Sequence, residues 1–145
     1  VDGDVSPGAG NVAMARRPET AFQIMVAQFL DYALPPDATW TSIDAGAVKL
    51  SGAQADLQKR RGVKEGWPDV LILASGTLYG IELKAKRGRL ADVQEAVGIQ
   101  IIRAGGKWFE ARSIAEIEHT LRGEGIKLRA TAGTKFAPRP MKDAA

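Results

Sequence analysis

Apolar positions along the chain fall into two rhythms, and their alternation predicts the elements. Phe22, Val26, Phe29 or Leu30, and Ala33 recur at helical spacing, with Pro18 in the first helical turn and Pro35-Pro36 as the stop. Trp40 to Ile43 reads as a strand, and Ser51-Gly52-Ala53-Gln54 as a capping box opening a helix through Arg61. Asp69 to Ala74 is a short run of β-formers, Ser75-Gly76 is turn chemistry, and Thr77 to Lys84 returns as a second strand, making a hairpin. Arg89 to Ala104 is expected to be helical, with Leu90, Val93, Val97 and Ile101 on one stripe and Gly105-Gly106 at its end. Lys107 to Ala111 follows as a strand, and the right-handed crossover preference sets it parallel to the hairpin's second strand. Ser113-Ile114-Ala115-Glu116 predicts another capping box, for a last helix ending near Gly123, and Ile126 to Ala130 an edge strand. The sum is an α/β fold, a central mixed sheet flanked by helices.

Outside that pattern, Val1 to Ala13 is small, Gly-containing and aperiodic, and Met14 reads as the natural start, so 1–13 is set apart as a leader. Thr131 to Ala145 carries two prolines and no apolar period and reads as a loose tail, leaving 14–130 as one domain. A chain of 145 residues with 45% hydrophobic content supports one core. No apolar stretch approaches the roughly 20 residues of a membrane span, and no signal-peptide core is present, so the cytoplasm is the expected compartment.

Composition narrows the chemistry. Zero cysteines exclude thiolate metal sites, and a single histidine, His119, excludes a His-rich zinc centre or paired imidazoles. His119 therefore reads as a helix-surface or packing residue, and any catalysis rests on carboxylates and lysine. A net charge of +3 is compatible with a polyanionic partner without identifying one.

The carboxylates that stand out are Asp69, in Gly66-Trp67-Pro68-Asp69, and Glu82, in Glu82-Leu83-Lys84. Pro68 cannot donate to a ladder, which suits the entrance of a strand. Glu82 and Lys84 are two apart and share a face, and closing the hairpin near Gly76 brings Asp69 and Glu82 to the same open end. Two carboxylates suit Mg²⁺, with water and phosphate oxygens completing the shell, and a neighbouring lysine can orient the attacking water. A solvated hairpin with a same-face ion pair would show the same three residues. The apolar flanks Val70, Leu71, Ile72, Leu73, Ile81 and Leu83 favour a site, because strands covered on both faces do not carry unpaired charge cheaply. Glu19, three before Phe22, is either an acid placed for the helix dipole or a third acid reaching that site. Lys59, Arg60, Arg61 and Lys64 before the acids, and Lys86, Arg87 and Arg89 after them, read as phosphate grips or as solvated loops.

Gly62-Val63-Lys64-Glu65-Gly66-Trp67-Pro68-Asp69, then Glu82-Leu83-Lys84, then Gln94 on the following helix, resembles the VRR-NUC branch of the PD-(D/E)xK nuclease superfamily, from about Pro18 to Arg129. Trp67 departs from it, a bulky residue where smaller ones are common. The resemblance implies a restriction-endonuclease-like core and a stand-alone, Mg²⁺- or Mn²⁺-dependent DNA endonuclease of bacterial or phage type, often a homodimer resolving four-way junctions. It further implies Asp69, Glu82 and the Leu83 backbone carbonyl as metal ligands, Lys84 as the residue that positions or deprotonates water, Glu19 as completing the acidic cluster, and Gln94 as orienting the lysine. DNA contacts are expected from Arg60, Arg61, Lys64, Lys86, Arg87 and Arg89, and apolar residues such as Trp40, Trp108 and Phe109 are candidates either for a dimer interface or for the core. Alternatives are a nuclease acting on linear duplex or single strands, and a non-catalytic DNA-binding module with this fold.

Overall fold

A computed structural model describes residues 18–43, 51–84 and 90–133. Helix α1 (Pro18–Ala33) is followed by β1 (Ala38–Ser42), α2 (Gly52–Arg60), β2 (Val70–Ala74), β3 (Thr77–Leu83), α3 (Asp92–Arg103), β4 (Lys107–Ala111) and α4 (Ile114–Gly123). The four strands form one sheet in the order β1-β2-β3-β4. The first three run antiparallel and β4 lies parallel to β3, so the sheet is mixed as the sequence predicts.

Each connection has a local cause. Ala74 pairs with Thr77, leaving Ser75-Gly76 as a two-residue loop with φ of 50° and 77°, the double positive φ of a type I′ hairpin. Ser51 caps α2 in both directions: its hydroxyl accepts from Gln54 N, and its own N–H donates to the Gln54 side chain. At α4 only half the expected box forms. Ser113 accepts from Glu116 N, but Glu116 reaches one residue further back, to Arg112 N at 2.7 Å.

Strand alternation divides the sheet into two faces. Val70, Ile72 and Ala74 pair with Ile81, Tyr79 and Thr77 on one of them, where Val26, Phe29 and Leu30 of α1 and Ile117 and Leu121 of α4 complete the main core. The other face carries Gly80 and Trp108 under α3. Gly98 of α3 admits that contact, since a Cβ there would stand 2.2 Å from the Trp108 ring.

Two expectations are corrected. Ile126 to Ala130 forms no strand; Ile126, Leu128 and Ala130 pack on the core instead. Arg129 N donates to Ala33 O and its guanidinium to Leu34 O, at 2.7 and 2.5 Å. The segment thus serves carbonyls left without helical partners where Pro35-Pro36 ends α1. The tail's first residues are also tied down. Ala132 N donates to Glu118, whose carboxyl is held below its ordinary range by that backbone N–H first and by Arg122. Residues 134–145, like the leader 1–13, lie outside the described residues.

The three aromatic residues that the sequence offers to an interface or to the core are each partly buried within the chain. Trp40 and Phe109 pack against the main core, and Trp40 Nε1 donates to Asp31 at 2.9 Å. Trp108 lies against Gly98 with its Nε1 buried and unpaired.

Candidate active site

The site forms where β2 begins and β3 ends. Val70 pairs with Ile81, so Asp69, one step before β2, lies across from Glu82 on the α3 side of the sheet. Upstream, Gly66 holds φ at 84°, and a Cβ there would stand 2.6 Å from Val93 O of α3. Only glycine passes the chain that close, and the turn delivers Pro68 buried and Asp69 half-buried at the strand entrance. Asp69 is then fixed from two sides. Its carbonyl accepts from Ile43 N and its Oδ2 from Leu83 N, both at 2.8 Å.

Glu82 is the buried charged side chain of the described residues, 1% exposed. Its Oε1 accepts from Gln94 Nε2 at 2.8 Å and lies 3.9 Å from Lys84 Nζ. Its Oε2 is buried with no hydrogen-bond partner. Burial, then the charge and the carboxyl of Asp69, push Glu82 up from 4.5 to about 8; Lys84 opposes the rise and Glu110 adds to it. An acid so placed keeps its proton near neutrality.

Gln94 ties the parts together. It is the third residue of α3, which begins at Asp92 rather than Arg89, so Gln94 sits on the first turn and not the second. Its Oε1 accepts from Lys84 Nζ at 3.0 Å and from Ala91 N at 2.9 Å, while Nε2 donates to Glu82. The amide orientation follows from charge: reversed, its NH₂ would face the ammonium and its oxygen the carboxylate. Ala91 offers no side-chain cap, so Gln94 both closes the helix N-terminus and bridges Lys84 to Glu82.

Among the described residues no group of three or more Asp, Glu or His side chains converges as a metal cage. The donor set that remains is Asp69, Glu82 and a backbone carbonyl. N–H and C=O of one strand residue point to the same side, so the Leu83 carbonyl faces the side on which its N–H meets Asp69. Two carboxylates with a carbonyl match the sparse protein ligation of Mg²⁺, which keeps several waters. Glu82 Oε2 is buried and receives no donor, and the carboxyl shares a proton with Asp69, whose departure would leave an anionic oxygen for a cation.

A cleft of about 230 Å³ opens beside these groups, walled by Trp67, Asp69, Val93 and Gln94. A larger cavity, about 360 Å³, lies elsewhere along Trp67 among Leu78, Val97 and Ile101, and no charged side chain lines it. Of the two, the smaller cleft is the one that Asp69 and Gln94 line.

Asp69, Glu82, Lys84 and Gln94 are therefore brought together. Glu19 lies in the first turn of α1, with its side chain outside the described residues. Arg60, at the end of α2, with Arg61 and Lys64 just beyond it, is exposed. Lys86, Arg87 and Arg89 lie outside the described residues. His119 is exposed on α4, as expected of a surface histidine. Two residues that the sequence reading passed over are Glu110 and Arg112. Glu110 pairs in register with Glu82, and the signal for both was the parallel crossover itself.

Set against family descriptions, curated proteins and solved structures, the chain matches none. No helix of the described residues is long and apolar enough to cross a membrane.

Proposed function

We propose that this chain is a metal-dependent DNA endonuclease with a restriction-endonuclease-like core of the VRR-NUC kind, acting in the cytoplasm of a bacterium or phage-infected cell. The observation that carries the reading is the buried, unpartnered Glu82 Oε2 across from Asp69, with Lys84 and Gln94 joined to the same carboxylate. Asp69, Glu82 and the Leu83 carbonyl would hold Mg²⁺ or Mn²⁺, and Glu19 would complete the acidic group. Bound there, the cation supplies Lewis acidity, easing the ionisation of water and neutralising a phosphate oxygen.

The chain's own groups do the remaining work. Lys84, 13% exposed and held by Gln94 Oε1, is aimed and largely desolvated, so it can orient the attacking water and stabilise charge growing on the phosphoryl oxygens. Gln94 fixes the lysine and the carboxylate relative to one another. Asp69, locked by Leu83 N–H, keeps its place as charge redistributes. Arg60, Arg61, Lys64, Lys86, Arg87 and Arg89 would grip flanking phosphates.

The substrate we favour is branched DNA such as a Holliday junction, cut by a homodimer, because symmetric incision needs two sites on a two-fold axis. Trp40, Trp108 and Phe109 are each partly buried within the chain, and their remaining exposed surface is what they could offer to such a contact. The test uses matched linear and four-way DNA with Mg²⁺, Mn²⁺ or chelator. Cleavage should require the cation, favour the junction, and vanish in Asp69→Ala and Lys84→Ala. Full cleavage in chelator would overturn the mechanism, and preference for linear DNA would transfer the activity to a plain nuclease.

A further inference from the structure

The charge pattern of Glu82-Leu83-Lys84 is repeated on the neighbouring strand. β4 ends in Glu110-Ala111 and Arg112 follows, while the parallel register sets Glu82 beside Glu110 and Leu83 beside Ala111. Lys84 N donates to Ala111 O at 3.0 Å, carrying the register one step further. Acid thus stands beside acid and cation beside cation, and period-two alternation turns both pairs to the face covered by α3.

Arg112 is not a wandering surface side chain. Its Nη2 donates to Glu110 Oε1 at 2.6 Å, with about a third of each side chain exposed, 32% and 33%. Its backbone N–H donates to Glu116 at 2.7 Å, which anchors the strand end on the first turn of α4. A partly exposed pair of this kind contributes little to stability by itself. The guanidinium's planar set of five N–H donors suits phosphate oxygens, which a point-charge ammonium meets less specifically.

We infer that Arg112 is a phosphate-positioning residue of this site, gripping a backbone phosphate of the nucleic-acid strand next to the one beside Lys84, with Glu110 holding the guanidinium in place. This rests on the nuclease reading and adds to it a cation one residue past the end of β4, held there by Glu110 and by the bond of its backbone N–H to Glu116. Phosphate contact from a fixed element sets the register of the substrate in the cleft, so loss of Arg112 raises KM more than it lowers kcat.

The experiment measures binding of a short duplex and a four-way junction across a salt series in chelator, for wild type, Arg112→Ala, Arg112→Gln, Arg112→Lys and Glu110→Gln, with KM and kcat in Mg²⁺. Arg112→Ala and Arg112→Gln should each flatten the plot of log affinity against log salt by about 0.9 and weaken binding several-fold, while Arg112→Lys restores the slope. Arg112→Gln keeps a hydrogen bond to Glu110 and serves if the alanine variant does not fold. Glu110→Gln should keep the wild-type slope. If wild type binds and cleaves DNA but the Arg112 variants match its slope and KM, the pair is a surface ion pair and the inference fails alone. If wild type neither binds nor cleaves DNA, the nuclease reading fails and takes this inference with it.

Discussion

Replacing Glu82 by glutamine should make the metal-free protein more stable than wild type at alkaline pH. The wild-type carboxyl has its folded value pushed up to about 8 from 4.5, so the folded state holds a proton that the unfolded chain has released over that interval. Stability from this group is therefore fully present below about 4.5 and is lost as pH rises through about 8. At about 1.4 kcal/mol per pH unit, raising pH from about 5 to about 8 removes at most about 4 kcal/mol. Glu82→Gln keeps the shape and the hydrogen-bonding reach but has no proton to lose. Its urea midpoints, measured in chelator, should fall much less over the same range.

Adding Mg²⁺ sharpens the comparison. A cation that binds only the ionised, folded pair stabilises wild type increasingly as pH rises and leaves Glu82→Gln nearly unmoved. Parallel pH profiles for the two proteins in chelator would mean that Glu82 ionises normally. The argument from the unpartnered Oε2 would then collapse, whatever the nuclease activity.

Gln94→Ala should lower kcat about 10- to 100-fold with KM little changed, because it releases Lys84 and Glu82 from one another without removing a phosphate contact; equal loss through KM alone would reassign Gln94 to binding. Gly98→Ala should destabilise by about 1–3 kcal/mol in urea titration, since its Cβ meets the Trp108 ring, and a neutral result would show that the ring can swing aside. Light scattering at micromolar concentration should report about twice the 15.5 kDa chain mass, and mixing Lys84→Ala with wild-type chains should give junctions nicked on one strand. A monomer cutting both strands in concert would defeat the two-fold scheme.

The sheet was legible in the sequence wherever short-range chemistry decides it. Ser75-Gly76 fixed the hairpin and hence the approach of Asp69 to Glu82, and the Gly105-Gly106 stop led correctly to a parallel β4. The Ser51 box formed as expected. Segments governed by long-range partners were not legible. Ile126 to Ala130 has the alternation of an edge strand, but its backbone is drawn to the carbonyls at the end of α1, nearly a hundred residues earlier. At the site, residue pairing followed from hairpin geometry, whereas Gln94's double role required knowing that α3 begins at Asp92 and lacks a side-chain cap. Glu110 and Arg112 were not legible because their place beside Glu82 and Lys84 depends on the β3–β4 register, which a predicted parallel pairing leaves open.

The central claim is that Asp69 and Glu82 share a divalent cation, and Mn²⁺ soaked into crystals tests it most directly through its anomalous signal. The account predicts a single strong peak between the two carboxylates, about 2.0–2.3 Å from an oxygen of each, with Lys84 still on Gln94 and no comparable peak in Glu82→Gln crystals. A pair of carboxylates sharing only a proton at neutral pH, with Mn²⁺ bound elsewhere or nowhere, would contradict it.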